Sequence, residues 1–300
     1  VRSDAKIASA QLRSYHRAFA FSLSPSSRLM PNPLKRYRIV DDDKLDLAAF
    51  DPATKVFAIG DAKANEVALK SMQKEIATLQ NRLFAEAKHS LLVVLQGMDT
   101  SGKDGVAIAA FDAVHPQGLH VTAYKAPSLD EAAHDFLWRV HPHVPAKGMI
   151  ALFNRSHYEA VIAERVLGLA SPRECKRRYA QIVDFERMLA EHDTCIVKCF
   201  LHISPAEQKV RLQSRLTDPA KHWKFNPNDL VERKRWGANM AAYTDAIRST
   251  STRAAPWWIV PSDSKDDRNL MVATLVRNAL AKLDPQYPPL PDAFRSITVD

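Results

Sequence analysis

One short stretch of the chain carries residues that can hold phosphate. Gly97, Gly102 and Lys103, in "GMDTSGKDG", give the spacing G-x-x-x-x-G-K directly after the apolar run "LLVVLQ" and directly before a helical pattern. A loop in that position turns backbone N–H groups onto a phosphate at the positive end of the following helix, and its lysine reaches the terminal phosphates. Asp104 stands where such loops usually carry a magnesium-binding Ser or Thr, and a second carboxylate, Asp99, lies inside the loop. A bare carboxylate repels phosphate, but it can hold a divalent cation against one, and phosphoryl transfer relies on cations that neutralise developing charge. Asp99 is therefore expected to be a metal ligand that also helps to orient the acceptor. Asp104 is expected to support the helix N-terminus by capping or dipole interaction.

Further candidates lie in "ALFNRSHYEAVIAERV", where an apolar run ends in Asn154 and Arg155 and a helical pattern carries Glu159 and Glu164. Arg155 can grip a phosphate, while Asn154 and Glu159 can ligate a cation or orient its water. A glutamate on a helix is usually just solvated, so these residues draw their weight from their place after a strand. A basic segment covers residues 207–235. There Lys209, Arg211, Arg215, Lys221, Lys224, Arg233, Lys234 and Arg235 outnumber Glu207, Asp218, Asp229 and Glu232, and Pro219 and Pro227 place a loop between two helices. Behind a phosphate loop, such a basic helix–loop–helix can close as a mobile lid.

These residues need a scaffold that gathers them. Val67, Leu69, Met72, Ile76, Leu79 and Leu83 recur at mostly three- and four-residue spacings, which predicts an amphipathic helix over residues 62–89. Strand-length apolar runs then alternate with helical patterns: "LLVVLQG" and a helix from about Gly102; "HVTAY" and "SLDEAAHDFLWRVH"; "MIALFN" and "SHYEAVIAERVLGL". A helix at "SPRECKRRYAQIVDFERMLAEHD", with Ser171 as N-cap, precedes the strand "TCIVKCFLHIS". Helices over residues 205–216 and 228–248, the strand "PWWIVP" and a helix over 267–283 complete the pattern. Strands that are continuous apolar runs, separated by helices, imply a parallel sheet covered on both faces. The expected fold is α/β and three-layered. It has a five-stranded parallel sheet over residues 91–290, a helical lid, an N-terminal helical extension over 31–90 and a tail over 291–300.

With 300 residues, 46% hydrophobic and 25% charged, the chain can bury a full core. No apolar run approaches the roughly 20 residues of a membrane-spanning helix. Cys175, Cys195 and Cys199 are odd in number and contain no CxxC pair, which fits a reducing compartment and predicts a cytoplasmic protein. A net charge of +8 predicts an anionic partner: nucleic acid, an acidic surface or a phosphorylated substrate. No recognition helix, zinc spacing or stacking-aromatic module supports a specific nucleic-acid binder. Residues 1–29 are basic and rich in Ser and Ala, and Met30 opens "MPNPLKRYRIVDDD". A transit peptide would look like this, as would an upstream extension. The extension is the reading adopted, with the prediction that these residues are loosely attached and that their removal changes activity little.

Taken together, "GMDTSGKDG", "VHPQGLHVTAYKAPS", "HDFLWRVH", "FNRSHYEAV", "RLTDPAKHWKFNPNDLVER" and "STSTRAAPWWIVPSDSKDDRN" closely resemble the family-2 polyphosphate kinases over residues 31–289. The resemblance implies a P-loop kinase fold similar to thymidylate kinase. It also implies phosphoryl transfer between inorganic polyphosphate and a nucleotide with Mg²⁺, for which Mn²⁺ could substitute. The family's loop Asp and Lys map to Asp99 and Lys103. Many members begin the second motif Asp-Arg-Ser; here it reads Asn154-Arg155-Ser156, a form similar to that of members accepting both AMP and ADP.

An acceptor phosphate is already an anion at neutral pH, so such an enzyme needs positive charge and alignment rather than a strong general base. Lys103, Arg155, Arg211 and Arg215 could supply that charge, and Lys125 is expected to face the nucleotide or the polyphosphate. A long polyanion needs a track, which the lid with Arg173, Lys176, Arg177 and Arg178 would provide. Trp138 and Arg139 are expected near the nucleoside, although an aromatic on a helix is more often core. Adenine nucleotides are the expected acceptors, guanine nucleotides remain open, and the resemblance implies a homodimer or homotetramer. An ATP-dependent nucleotide kinase of the same fold is the alternative enzyme.

Overall fold

Four of the apolar runs, Ser90–Gln96, Ile150–Asn154, Thr194–His202 and Trp257–Pro261, form strands buried along nearly their whole length, as their lack of alternation requires, whereas Leu119–Ala123 lies at the sheet edge with His120, Val121 and Ala123 exposed. The computed structural model describes residues 33–40, 44–58 and 60–299, so the expected loose extension at residues 1–29 lies outside them. Ser90–Gln96 (β2), Leu119–Ala123 (β3), Ile150–Asn154 (β4), Thr194–His202 (β5) and Trp257–Pro261 (β6) run parallel. A further strand, Arg38–Ile39 (β1), pairs antiparallel with β6, so the sheet has six strands rather than the expected five. A two-residue strand carries no periodicity to read. The order β1-β6-β5-β2-β4-β3 places β2 at the centre, where successive connections depart to opposite sides. The crevice beyond the C-terminal ends of the strands at such a switch point is where open α/β sheets bind ligands.

The helices are Ala62–Glu86 (α1), Lys103–Phe111 (α2), Leu129–Ala133 (α3), Ala163–Val166 (α4), Pro172–Glu191 (α5), Pro205–Thr217 (α6), Asn228–Lys234 (α7), Trp236–Thr250 (α8) and Lys265–Leu283 (α9). The Asp61 carboxylate caps α1 by accepting from Ala64 N at 2.9 Å, and the helix buries Met72, Ile76 and Leu83 against α2 and α9. On the other side α5 packs with α8, and Ser171 caps α5 as expected. Among the described residues no helix is long and apolar enough to cross a membrane.

Three expected helices are shorter than their patterns. In "SLDEAAHDFLWRVH" only Leu129–Ala133 is helical, because the Asp135 carboxylate accepts from the N–H groups of Leu137 and Trp138 at 2.9 and 3.1 Å and offers the backbone a turn instead. In "SHYEAVIAERVLGL" the Ser156 hydroxyl opens a 3₁₀ turn, His157–Ala160, before α4. The segment expected as one helix over residues 228–248 breaks at Arg235, whose φ and ψ of −93° and 19° separate α7 from α8.

Tyr158 holds that 3₁₀ turn to the core. Lys198, buried in the middle of β5, donates to Glu186 Oε2 at 2.6 Å, to the Tyr158 hydroxyl at 3.0 Å and to Thr250 O at 2.8 Å. The ammonium's three donors are thus all satisfied. Burial would raise the Glu186 pKa, but the Lys198 charge and His157 reverse this and hold the carboxyl below its ordinary value. Lys198→Met leaves a buried carboxylate without its counter-charge and is expected to cost about 3–5 kcal/mol in urea unfolding. Lys198→Met/Glu186→Leu should recover most of it, whereas a loss under about 1 kcal/mol in the single variant would show that the pair is not the anchor described.

Candidate active site

The loop after β2 is shaped by what surrounds it. Gly97 has φ +153°, and a Cβ there would meet Leu201 O at 2.7 Å and Ser101 Oγ at 2.8 Å. Thr100, β-branched, is held in the left-handed region at φ +66°, a conformation that persists only when its surroundings impose it. Gly102 ends the loop at φ +102°, and α2 starts at Lys103 with its first backbone N–H groups directed back at the loop. Lys103 is buried, and its Nζ rests on Gly97 O at 2.7 Å and Met98 O at 3.2 Å. Burial, with the nearby Arg155 charge, pushes its pKa down to about 8 although Asp99, Glu159 and Asp104 oppose this.

Sheet register brings the second motif alongside. Leu95 of β2 lies opposite Asn154 of β4, and Arg155, at φ +61°, donates its N–H to Leu95 O at 3.0 Å. The Arg155 guanidinium then reaches Asp99 Oδ1 at 2.6 Å through Nη2 and Glu159 Oε2 at 3.4 Å through Nη1. Burial opposes its charge, but Glu159 and Asp99 outweigh this and keep its pKa above the ordinary arginine value. Gln96 Nε2 holds the other Glu159 oxygen at 3.0 Å. Asn154 Nδ2 donates to Asp104 Oδ1 at 2.6 Å. Asp104 therefore does not cap α2 by a side-chain hydrogen bond; it lies in the first turn and reaches across to β4.

The structure brings Gly97, Asp99, Gly102, Lys103, Asn154, Arg155 and Glu159 to one end of a cleft of about 1320 Å³. Residues of the basic segment line the same cleft. Gln208 on α6 donates to Asp99 O at 3.1 Å, and Arg215 pairs with Asp229 on α7 at 2.7 Å. Burial and the Asp99 charge raise the Asp229 pKa. Arg211 is committed within the protein: it meets Glu207 at 2.8 Å and donates to the carbonyls of Thr100, Ser101, Ser262 and Asp263. Arg178 also lines the cleft, but its guanidinium is held by Glu164 at 2.6 Å, Glu174 at 2.5 Å and Ala160 O at 2.7 Å. Neither guanidinium is free to meet an incoming phosphate without giving up these partners.

Lys125 and Arg139 line the cleft near Tyr124, with Arg139 on Glu131 at 3.2 Å and donating to Lys125 O at 2.8 Å. Trp138 does not line it; the residue is 43% exposed, and its ring stacks on His134 with centroids 4.1 Å apart. Three cleft residues had no distinguishing sequence signal: Gln208, Tyr243 and Trp223 of the basic segment, which is 78% exposed. Buried Arg268 escaped as well, since "KDDRN" reads only as a helix start.

Among the described residues no three His, Cys, Asp or Glu side chains are grouped to hold a metal ion by themselves. Of the expected ligands Asp99, Asn154 and Glu159, the Glu159 oxygens meet Gln96 and Arg155, while Asp99 and Asn154, with Asp104, offer oxygens of the kind a hard divalent cation takes together with water and phosphate.

The family model for polyphosphate kinase 2 matches residues 60–288. The chain is 44% identical to an AMP/ADP-polyphosphate phosphotransferase of Meiothermus ruber, over 89% of this chain and 100% of that protein. It is 35% identical to an ADP-polyphosphate phosphotransferase of Rhodopseudomonas palustris, over 87% of this chain and 94% of that protein. A crystal structure of polyphosphate kinase 2 from Arthrobacter aurescens superimposes with a TM-score of 0.83 at 41% identity, covering 89% of this chain and 93% of that one. A phosphate loop bearing its own carboxylate, an arginine fixed beside it by strand register, and a match over most of the chain lead to one assignment: this protein belongs to the polyphosphate kinase 2 family.

Proposed function

We propose that this protein transfers phosphoryl groups between inorganic polyphosphate and adenine nucleotides, converting AMP to ADP and ADP to ATP. The observation that carries the reading is the Asp99–Arg155–Glu159 cluster beside the phosphate loop, in a cleft also lined by the basic segment. The relatives named for AMP/ADP and ADP transfer support the choice of substrates.

The residues divide the work. The backbone N–H groups at Gly102 and the start of α2 receive the phosphate to be transferred, and Lys103 leaves its two loop carbonyls to meet it. Arg155, aimed by Asp99 and Glu159, faces the charge that spreads over the transferred group. Asp99, with Asp104 and Asn154 beside it, would hold Mg²⁺, which when bound neutralises phosphate charge and aligns donor with acceptor. The lid would exclude water by closing α6 and α7 over the cleft. No residue need act as a strong base, because the attacking phosphate oxygen is already ionised.

The test is anion-exchange analysis of nucleotides after incubation with Mg²⁺, long-chain polyphosphate and either AMP or ADP, beside an ATP-donor control. ADP and ATP should form only with polyphosphate. Transfer from ATP alone would replace this reading with that of an ATP-dependent nucleotide kinase.

A further inference from the structure

A side chain from the far end of the chain lies directly against the phosphate loop. Arg268, in the first turn of α9, is 2% exposed; its Nη1 donates to Ser101 O at 3.1 Å, while Nε and Nη2 hold Asn269 Oδ1 at 3.2 and 2.8 Å. Among the described residues no carboxylate comes within ion-pair distance of its guanidinium; Asp266 acts on it only from farther away. Arg211 approaches the same carbonyl, with Nη1 3.3 Å from Ser101 O and 3.0 Å from Thr100 O. Glycines make the room: a Cβ on Gly102 would lie 1.9 Å from Arg268 Nη1, and one on Gly105 would lie 3.2 Å from Nη2. Burial, with the Arg211 charge, draws the Arg268 pKa down to about 10.

A buried cation lacking a carboxylate is unfavourable by itself. It becomes favourable when an anion arrives nearby, and the feature it touches is a cradle for phosphate. Peptide geometry adds a second effect. In a planar trans peptide the C=O and N–H point in opposite directions. By holding the Ser101 carbonyl on the protein side of the loop, the arginines direct the Gly102 N–H of the same peptide toward the cradle, and among the described residues that N–H has no hydrogen bond.

We propose that Arg268 is a positioning residue for phosphoryl transfer: it aims the Gly102 N–H at the phosphate and places an unneutralised positive charge behind the loop. This rests on the polyphosphate reading above. Arg211 does not duplicate it, since Glu207 at 2.8 Å already matches the Arg211 charge.

The experiment compares the parent protein with Arg268→Met, Arg268→Lys and Gly105→Ala in the polyphosphate-to-ADP assay, and measures thermal midpoints with and without tripolyphosphate. Arg268→Met should retain the parent's ligand-free midpoint, lose most of the tripolyphosphate-induced rise, and lower kcat about 10²-fold with the ADP KM within about twofold. Arg268→Lys, which keeps charge but not the fork, should fall between. Gly105→Ala improves helix propensity while crowding the guanidinium, so it should be no less stable yet slower by about three- to tenfold, and adding it to Arg268→Met should slow transfer no further. A folded Arg268→Met with kcat within twofold of the parent and an intact tripolyphosphate shift would overturn the proposal. If Arg268→Met does not fold, unchanged kcat in Gly105→Ala would overturn it. An inactive parent that is still stabilised by tripolyphosphate would sink the polyphosphate reading instead, leaving the variants' midpoint shifts to judge Arg268.

Discussion

Lys103→Ala is expected to lower polyphosphate-driven ATP formation by about 10³-fold while leaving the ligand-free protein at least as stable as the parent. The two halves follow from one fact. The ammonium is desolvated, and among the described residues its hydrogen-bond partners are the carbonyls Gly97 O and Met98 O. Its charge therefore burdens the resting fold and is expected to act on phosphate once that is bound. The pH dependence has a definite sign. The folded pKa is lowered to about 8, below the ordinary lysine value, so between those two values the unfolded chain binds more protons than the folded one. Stability of the phosphate-free, metal-free parent should accordingly rise with pH from about 8 to about 10.4, and Lys103→Ala should lack that contribution. Urea unfolding of both proteins across this range, alongside steady-state assays, reads both effects. A folded variant within tenfold of parental kcat would remove Lys103 from the transfer step.

Asp99→Asn should reduce transfer by about 10²–10³-fold and raise the Mg²⁺ concentration needed for half-maximal rate. The substitution separates charge from geometry. The amide oxygen can still accept from Arg155 Nη2, which lies 2.6 Å from Asp99 Oδ1, and Glu159 continues to hold Nη1. What disappears is the negative charge proposed to attract a cation into the loop. Glu159→Gln is the comparison: its oxygens meet Gln96 and Arg155, so it should disturb the aim of Arg155 without comparable change in Mg²⁺ dependence. Equal Mg²⁺ curves for Asp99→Asn and the parent would count against Asp99 as the cation's ligand, whatever the change in kcat.

The phosphate loop was legible from sequence because everything that makes it is local. A strand, two glycines at positions needing positive φ, a lysine and a helix start follow one another without interruption. The parallel sheet was legible for a related reason: strands buried on both faces must be apolar at consecutive positions. Helix lengths were less so. Asp135 and Ser156 divert the backbone by side-chain hydrogen bonds that propensity and periodicity do not weigh.

Charge partners lay beyond the sequence altogether. Arg155, Arg178, Arg211 and Arg268 are the same residue type on or near helices and strand ends, yet they differ in what they face. Arg155 meets a carboxylate 56 positions away, Arg178 is saturated by its own neighbourhood, and Arg268 reaches a loop carbonyl 167 positions away with no carboxylate in ion-pair distance among the described residues. Periodicity reports which face of an element is buried, because burial depends on position along that element alone. Which charge stands opposite which depends on strand order and register, a contact between distant segments that exists only once the sheet has assembled. The sequence by itself thus determined the G-x-x-x-x-G-K loop and the layered α/β scaffold, while the tertiary structure decided which cations face carboxylates and which face only backbone carbonyls or a side-chain amide.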